Sequence, residues 1–442
     1  MKVCFETFGC RLNRAEALAE EAQYLARGWE RTESHADAQL VVVRGCSVTA
    51  RAQRDCEHLI DHIRRKYPTK RVIVTGCLPS ADKGYFLKGV GSSRVNLGSS
   101  RVSLGSARVN VNSKSTLNDP NSTLKDPKST LSDPNPTLKG PIPTRTARAY
   151  LKVQDGCASR CAFCIVPQFR GSSRSVAWDE VLDTSKRFID AGYHEIVVTG
   201  CNLAQYNADG RRLPELVDAL ASLSPDCRIR LSSVEPGPVA LDVVPAMAQH
   251  ANVCRFLHIP VQTGSARILA AMRRPYSVHQ VDELIHAATK AMPNLGLGCD
   301  MMTGFPDETD NDQLATLGFL RRHPFTKAHV FPYSERPGTV AAALPGVVPK
   351  PVRSARAHEI ANLMDEKRTL YAKRFRGHDV EVVVEDEKSI AGWTSEYLWC
   401  RVGEEKPGAF AFGRNGRKLK RKDLVRIRVK ESDGHMLTGD PV

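Results

Sequence analysis

Three cysteines pose the first chemical question. Cys157, Cys161 and Cys164 form a C-x3-C-x2-C run directly after the strand-like segment Tyr150–Gln154. Three thiolates on one short loop can hold three irons of a [4Fe–4S] cube and leave the fourth iron open, since full ligation takes four cysteines. An open iron lets a cluster bind a substrate rather than only carry electrons. A structural zinc site wants four ligands, and no His or Cys follows at finger spacing. A thioredoxin-like redox pair at Cys161 and Cys164 leaves Cys157 unexplained. The spacing favours iron–sulfur ligation.

A second set is scattered. Cys10, Cys46 and Cys77 each lie a few residues past a short β-rich run, namely Val3–Phe5, Leu40–Val43 and Val72–Val74. In a parallel sheet those positions share the edge where open α/β folds place their ligands. Two readings stay open from geometry alone. The three thiols ligate a second cluster, or they are small buried packing residues. Cys4, Cys56, Cys227, Cys254 and Cys400 read as packing residues, and so do Cys201 and Cys299 near later strand ends. None of these forms a further spaced ligand set.

The elements that must position these cysteines follow from patterning. At 442 residues the chain calls for two or three domains. Residues 1–88 alternate short apolar strands with helical stretches at Ala15–Ala26 and Arg51–Arg65, as in a small doubly wound α/β unit. From residue 91 the heptads GSSRVNL, GSSRVSL and GSARVNV, then STLNDPN, STLKDPK, STLSDPN and PTLKGPI, recur with Gly or Pro in every unit. Such units cannot build a coiled coil, and their polarity favours a disordered linker over a stacked solenoid. Between Ala147 and His329 six strand candidates alternate with amphipathic helices: Tyr150–Gln154, Glu195–Thr199, Arg228–Ser232, Phe256–Ile259, Leu297–Met302 and Ala328–Phe331. That series predicts a partial barrel with its chemistry at the C-terminal strand ends. The last 70 or so residues alternate like a small β-barrel, with strands at Val380–Glu385, Tyr397–Val402 and Leu424–Val429.

Composition narrows the partner. No apolar run reaches the roughly 18–20 residues that span a bilayer. The N-terminus enters an acid-containing strand at once, unlike a signal peptide. The expectation is a cytoplasmic chain whose 13 cysteines are reduced ligands or packing residues rather than disulfides. A net charge of +14 favours a polyanionic partner, nucleic acid before membrane.

The first triad, with Phe163 before its last cysteine and Ile165-Val166-Pro167 after it, resembles the radical S-adenosylmethionine superfamily. The resemblance implies that the open iron chelates S-adenosylmethionine. Reductive cleavage then yields a 5′-deoxyadenosyl radical, with the protein supplying orientation and exclusion of water. Thr7-Phe8-Gly9-Cys10-Arg11-Leu12-Asn13 with Glu16, and Val74-Thr75-Gly76-Cys77, resemble the cluster-binding opening of methylthiotransferases. Further matches are Arg170-Gly171, Glu195–Gly200, Arg230–Pro236, His258–Ser265, Gly304-Phe305-Pro306 and His329–Thr339. The Gly-Cys-Arg-Leu-Asn form resembles the branch acting on N6-threonylcarbamoyladenosine at position 37 of tRNA. The branches acting on isopentenyladenosine tRNA or on a ribosomal-protein aspartate are less similar, and a non-catalytic RNA-binding descendant is a rival of another class.

The resemblance implies four regions. Residues 1–88 form a flavodoxin-like cluster-binding domain; the repeats interrupt it where the family normally continues, and composition makes 89–145 a disordered linker. Residues 146–373 form a partial (β/α)6 radical S-adenosylmethionine barrel, and 374–442 a TRAM-like RNA-binding β-barrel. It also implies two [4Fe–4S] clusters, a tRNA substrate, a flavodoxin or ferredoxin as electron donor, and a monomer. One departure stands out. Arg44-Gly45 precede Cys46 where the family usually has Asn-Thr, which is expected to shift the cluster's potential or a neighbouring hydrogen bond.

Phe163, Thr199, Gly200, Ser232, Ser233, Glu235 and Gln262 fall on the cluster loop or at strand ends. Their amide, hydroxyl and carboxylate groups suit the amine, ribose and adenine of S-adenosylmethionine, although Ser and Thr there also serve as turn formers. Arg414, Arg417, Lys418, Lys420, Arg421 and Lys422 place six basic residues within nine. A charge run is usually a solvated face. Beside Trp393, Tyr397 and Trp399 it better suits phosphate contact with base stacking.

Overall fold

The computed structural model describes residues 1–46, 50–77, 138, 140–143, 145–403 and 418–442. The repeats before residue 138 and the basic residues Arg414 and Arg417 lie outside the described residues. Among the described residues, no helix is long and apolar enough to cross a membrane.

The N-terminal unit is a four-stranded parallel sheet in the order β2-β1-β3-β4, with β1 at Lys2–Thr7, β2 at Glu30–Arg31, β3 at Leu40–Gly45 and β4 at Arg71–Gly76. β3 is a β-branched run buried along its whole length, as a central parallel strand requires. Helices α1 (Arg11–Leu25) and α2 (Ala50–Lys66) connect the strands. α2 packs Cys56, Ile60 and Ile63 against Cys4, Val41 and Val43. α1 turns its other side to the rest of the chain, through Ala15 and Leu18 against Tyr150 and Val197.

The central unit is a parallel series of β5 (Ala149–Lys152), β8 (Glu195–Thr199), β11 (Arg228–Leu231), β12 (Phe256–Gln262), β13 (Gly296–Thr303) and β14 (Lys327–Pro332). Small two-stranded ribbons intervene: β6 (Gln154–Asp155) with β7 (Arg174–Ser175), and β9 (Asn207–Ala208) with β10 (Arg211–Arg212). The order β5-β8-β11 continues into β12-β13-β14 through isolated parallel bridges at Ile229–Val253 and Ser233–His258. This is the open six-stranded barrel that the alternation predicts, with β12 to β14 each longer than the apolar run that announced it. Alternate side chains such as Ile196, Val198, Ile229, Leu231, Leu257, Ile259, Leu297 and Met301 pack outward against the helices. The intervening positions therefore face the barrel interior.

Within the segment expected as linker, Leu138 is buried and Tyr193 donates its hydroxyl to the Pro143 carbonyl at 2.7 Å. A 24-residue helix, Lys350–Lys373, then leads to the C-terminal unit. There β15 (Asp379–Asp386), β16 (Ala391–Thr394), β17 (Trp399–Val402), β18 (Leu424–Ser432) and β19 (Met436–Pro441) close into a barrel in the order β15-β16-β17-β19-β18.

The C-terminal barrel is keyed into the central one. Arg228 donates to the Glu381 carbonyl at 2.6 Å and the Trp393 carbonyl at 3.1 Å. Arg230 donates to the Thr394 and Ser395 carbonyls at 2.8 and 3.1 Å. Both arginines pair with the fully buried Glu195, whose carboxyl is held well below the usual carboxylate range by them despite its burial.

Candidate cluster and cofactor sites

Cys10, Cys46 and Cys77 follow β1, β3 and β4, three neighbouring strands, at one edge of the N-terminal sheet. Cys10 is exposed at the start of α1, while Cys46 and Cys77 are buried. The loop geometry explains the residues around them. Gly9 has φ +93°, and a Cβ there would lie 2.6 Å from Cys46 Cβ and 2.8 Å from its Sγ. Only glycine permits so close a pass. Asn13 donates to the Phe8 carbonyl at 2.8 Å and the Gly45 carbonyl at 3.1 Å, tying the Cys10 loop to the Cys46 loop.

Cys157, Cys161 and Cys164 sit on the loop after β6, at the C-terminal end of the central barrel. Arg274 donates to Cys161 Sγ at 2.9 Å and also pairs with Glu235. Burial pushes the Cys161 thiol up, and the Arg274 guanidinium opposes it. The Cys164 thiol is pushed up to about 12 by burial. Desolvation of this kind keeps a thiol protonated and unreactive on its own, whereas ligation to a metal removes the proton outright.

One arginine joins the two loops. Arg170, six residues after Cys164, donates to Asn13 Oδ1 at 3.1 Å, to both oxygens of Glu16 at 2.7 and 3.1 Å, and to Asp155 Oδ1 at 2.9 Å. Burial pushes the Cys77 thiol up, and the Arg170 guanidinium beside it pulls it back. Glu16 is also paired with Lys152 and Arg44, and these cations hold its carboxyl well below the usual range despite burial. Arg44 thus spends its guanidinium on Glu16 and Glu20 of α1. That answers the departure before Cys46: the arginine braces β3 against α1.

The expected cofactor residues are gathered at the strand ends, with differing surroundings. Glu235 receives Asn202, Arg274 and Ser159. Gly200 lies where a Cβ would meet Gln154 at 2.8–3.1 Å, and Gln154 accepts from the Asn202 amide at 2.9 Å. Gln262 is buried with φ +73°, a strained conformation for a residue with a side chain and one common at functional sites. Ser232 Oγ is 3.5 Å from the Arg11 guanidinium, and Ser233 forms a bridge with His258. Thr199 is buried, its carbonyl accepting from the Val153 amide at 3.0 Å. Phe163 packs against Ala162, Ile268, Met272, Phe305 and Tyr333, bracing the loop. Sequence reasoning missed Gln154, Asn202 and Arg274. Arg274, in Met272-Arg273-Arg274-Pro275, has no spacing relation to the cysteines it serves.

The expected RNA contacts divide. Tyr397 is sandwiched between Phe256 (ring centroids 4.6 Å, stacked) and Trp393 (4.5 Å, stacked), so both ring faces are taken. This corrects the base-stacking role read from the sequence. Trp399 meets Trp393 edge-on at 5.1 Å. Lys422 lies 3.7 Å over the Tyr193 ring and bonds the Ala191 carbonyl at 3.2 Å, another correction, because it faces the central barrel. Arg421 bonds the Glu385 and Arg145 carbonyls, at 3.1 and 3.0 Å. Lys418 and Lys420 are exposed.

An open parallel barrel with a three-cysteine loop at its strand ends defines a radical S-adenosylmethionine enzyme. Residues 151–320 match the radical SAM superfamily, and residues 2–98 match uncharacterized protein family UPF0004. The chain is 30% identical over 409 residues to the threonylcarbamoyladenosine tRNA methylthiotransferase MtaB of Bacillus subtilis, covering 90% of this chain and 89% of that one. It is also 30% identical over 453 residues to the tRNA-2-methylthio-N(6)-dimethylallyladenosine synthase of Chlorobium limicola, covering 99% and 97%. The radical S-adenosylmethionine methyltransferase TsrM of Kitasatospora setae, solved with cobalamin and a [4Fe–4S] cluster, shares the fold with a TM-score of 0.55 at 13% identity, over 77% of this chain and 74% of that one. The chain belongs to the radical S-adenosylmethionine methylthiotransferases, which use S-adenosylmethionine and two [4Fe–4S] clusters. The thiols of both triads, none of them in a disulfide, the Arg274 donor at Cys161 and the glycine clearance at Cys46 fit two such clusters.

Proposed function

We propose that this enzyme adds a methylthio group to C2 of N6-threonylcarbamoyladenosine at position 37 of tRNA. The observation that most supports two-cluster chemistry is that Arg170, on the short helix that follows Cys164, reaches Asn13 and Glu16 and lies beside Cys77 of the other triad. A radical made at one site and a sulfur held at the other must meet one carbon, so the two sites need a fixed separation. When bound, S-adenosylmethionine and the clusters supply the radical and the sulfur, with a flavodoxin or ferredoxin as electron source.

The chain's own residues orient these groups. Cys157, Cys161 and Cys164 hold one cluster; Cys10, Cys46 and Cys77 hold the other. Arg274 stabilises the Cys161 thiolate and fixes Glu235, which with Asn202 presents a polar edge for the cofactor's amine and ribose. Lys418 and Lys420 on the C-terminal barrel reach tRNA phosphates, and the enzyme works as a monomer.

The Gly9-Cys10-Arg11-Leu12-Asn13 motif and the Bacillus relative support threonylcarbamoyladenosine; the Chlorobium relative supports dimethylallyladenosine. Anaerobically reconstituted enzyme, given S-adenosylmethionine and reductant, is tested on tRNA bearing either modification and on unmodified tRNA. The threonylcarbamoyl tRNA should gain one methylthio group in place of hydrogen. Reaction of the dimethylallyl tRNA alone would overturn the substrate assignment and leave the chemistry standing.

A further inference from the structure

The inner wall of the central barrel divides into two halves. On the β5–β8 side it is covered by α1, whose Ala15 and Leu18 pack on Tyr150 and Val197. On the β12–β14 side, Ala328 and Val330 pack outward with the core, so Lys327, His329 and Phe331 face inward. Phe331 is 37% exposed and the His329 side chain 46%, so solvent reaches this half of the interior.

That half carries positive charge without a counter-ion. Lys327 is half-buried, with its ammonium 4.3 Å from the Tyr397 ring centroid and 4.9 Å from that of Trp393. Among the described residues no carboxylate lies within 4 Å of it and no hydrogen bond satisfies it. Arg11 reaches the same place, donating to the Tyr397 hydroxyl at 2.9 Å, and it too has no carboxylate partner among the described residues. The other nearby cations, Arg148 and Arg230, are paired with Glu195. Burial pushes the Tyr397 phenol up, yet Arg11, Lys327, Arg148 and Arg230 together bring it down to about 8, and burial brings the Lys327 ammonium itself down to about 8, against the pull of Tyr397. The field at this point favours an anion.

His329 completes the wall. Its Nδ1 is 3.2 Å from Asp300 Oδ1, which also meets His258 Nε2 at 3.0 Å. The shared carboxylate fixes the His329 ring and leaves its Nε2 edge uncommitted among the described residues. With Nδ1–H given to Asp300, that Nε2 accepts a hydrogen bond when the ring is neutral and donates one when it is protonated.

A buried cation without a counter-ion is costly and marks a ligand that brings the missing charge. The two N6 substituents under consideration differ in this property. Threonylcarbamoyl ends in a carboxylate and a hydroxyl; dimethylallyl has no polar atom. We infer that Lys327, Arg11 and His329 form an anion-binding subsite on the inner barrel wall that takes the carboxylate of the substrate's N6 substituent. This inference rests on the threonylcarbamoyl reading above. Lys327 and Arg11 pair with the carboxylate, and His329 meets the neighbouring hydroxyl. The subsite makes the barrel selective because a dimethylallyl group would leave both half-buried cations unmatched.

The test uses holoenzyme carrying both clusters and three anticodon stem-loops. These bear threonylcarbamoyladenosine, its carboxylate methyl ester, or plain adenosine at the target position. Wild-type enzyme should bind the free carboxylate at least roughly ten-fold tighter than the ester, the scale of one charge-assisted hydrogen bond. Lys327→Met, which keeps an unbranched side chain one atom shorter, should lose most of that preference and retain only what Arg11 supplies. Unchanged preference in Lys327→Met, or no preference in the wild type, overturns the subsite. The wild-type ester comparison needs no variant, so it decides even if Lys327→Met loses its clusters. Turnover separates the two readings. Methylthiolation of threonylcarbamoyl tRNA without ester discrimination removes the subsite alone, whereas turnover of dimethylallyl tRNA only removes the substrate assignment with it.

Discussion

The two cysteine triads are built by opposite means. Cys157, Cys161 and Cys164 lie within eight residues, on one loop braced by Phe163 from behind and Arg274 from the side. Cys10, Cys46 and Cys77 are spread over 68 residues and meet only because β1, β3 and β4 lie side by side. The first site is a property of local chain, and its barrel needs only to hold the loop ends. The second is a property of a whole sheet. It therefore depends on everything that fixes that sheet, including the Asn13 clamp and the Glu16 network with Arg44, Lys152 and Arg170. Three of the residues in that network, Lys152, Asp155 and Arg170, belong to the barrel side. The assembled site is thereby locked to the local one.

The comparison breaks most sharply at the ligands. Reconstituted enzyme should carry about eight irons, four per [4Fe–4S] cluster. Changing Cys157, Cys161 and Cys164 together to Ala should leave about four irons and abolish cleavage of S-adenosylmethionine. Changing Cys10, Cys46 and Cys77 together should also leave about four, but S-adenosylmethionine cleavage should persist. Wild-type iron content in the second variant would return those cysteines to packing residues.

A smaller effect tests the asymmetry itself. Arg170→Met removes a buried guanidinium shared by Asn13, Glu16 and Asp155. Breaking a buried ion pair from one side typically costs about 3–5 kcal/mol, because it strands the partner charge. Here Lys152 still pairs with both carboxylates and Arg44 with Glu16, so the lower end applies. Iron should fall from about eight towards four, and the loss should come from the assembled site. Selective loss from the local site, read by the S-adenosylmethionine-induced change in the reduced cluster's EPR signal, would reverse the proposed dependence.

The same contrast explains what the sequence makes legible. The local triad is written in its spacing, and the assembled triad can be read because each cysteine follows a β-rich run that ends at the same sheet edge. The six barrel strands announce themselves as apolar runs between amphipathic helices. The polar residues that do the joining carry no such signal. Arg170 and Arg274 find their partners through tertiary packing, and Tyr397 reads as a surface aromatic until Phe256 closes over it. The helix Lys350–Lys373 is hard to see for a related reason. It buries Arg353 and Arg356, whose guanidiniums bond the Tyr333 and Val348 carbonyls and Glu308, where an amphipathic pattern would place apolar residues. β16 and β19 are missed because Gly392 and Gly439 interrupt their alternation, each set where a Cβ would strike the neighbouring strand within about 2 Å.

The smallest expected effect concerns the covalent connection between the triads. If the assembled site is fixed by the sheet and Arg170, the chain joining Cys77 to the barrel should matter little to it. That connection re-enters the fold at Leu138, which is buried, while the Leu138 and Gly140 carbonyls both accept from Arg187. Those packed residues must be kept, and so must the stretch to residue 98 that matches the N-terminal family. Deleting residues 99–136 respects both limits. It shortens the 60 residues between Cys77 and Leu138 to 22. By loop-closure entropy this changes stability by only about 1 kcal/mol, in favour of the shorter chain. Iron content should stay near eight, and the thermal midpoint should stay level or rise slightly. A fall to about four irons with S-adenosylmethionine cleavage intact would show that the repeats help shape the Cys10, Cys46 and Cys77 site, and the contrast between a loop-built and a sheet-built centre would then have to include the segment between them.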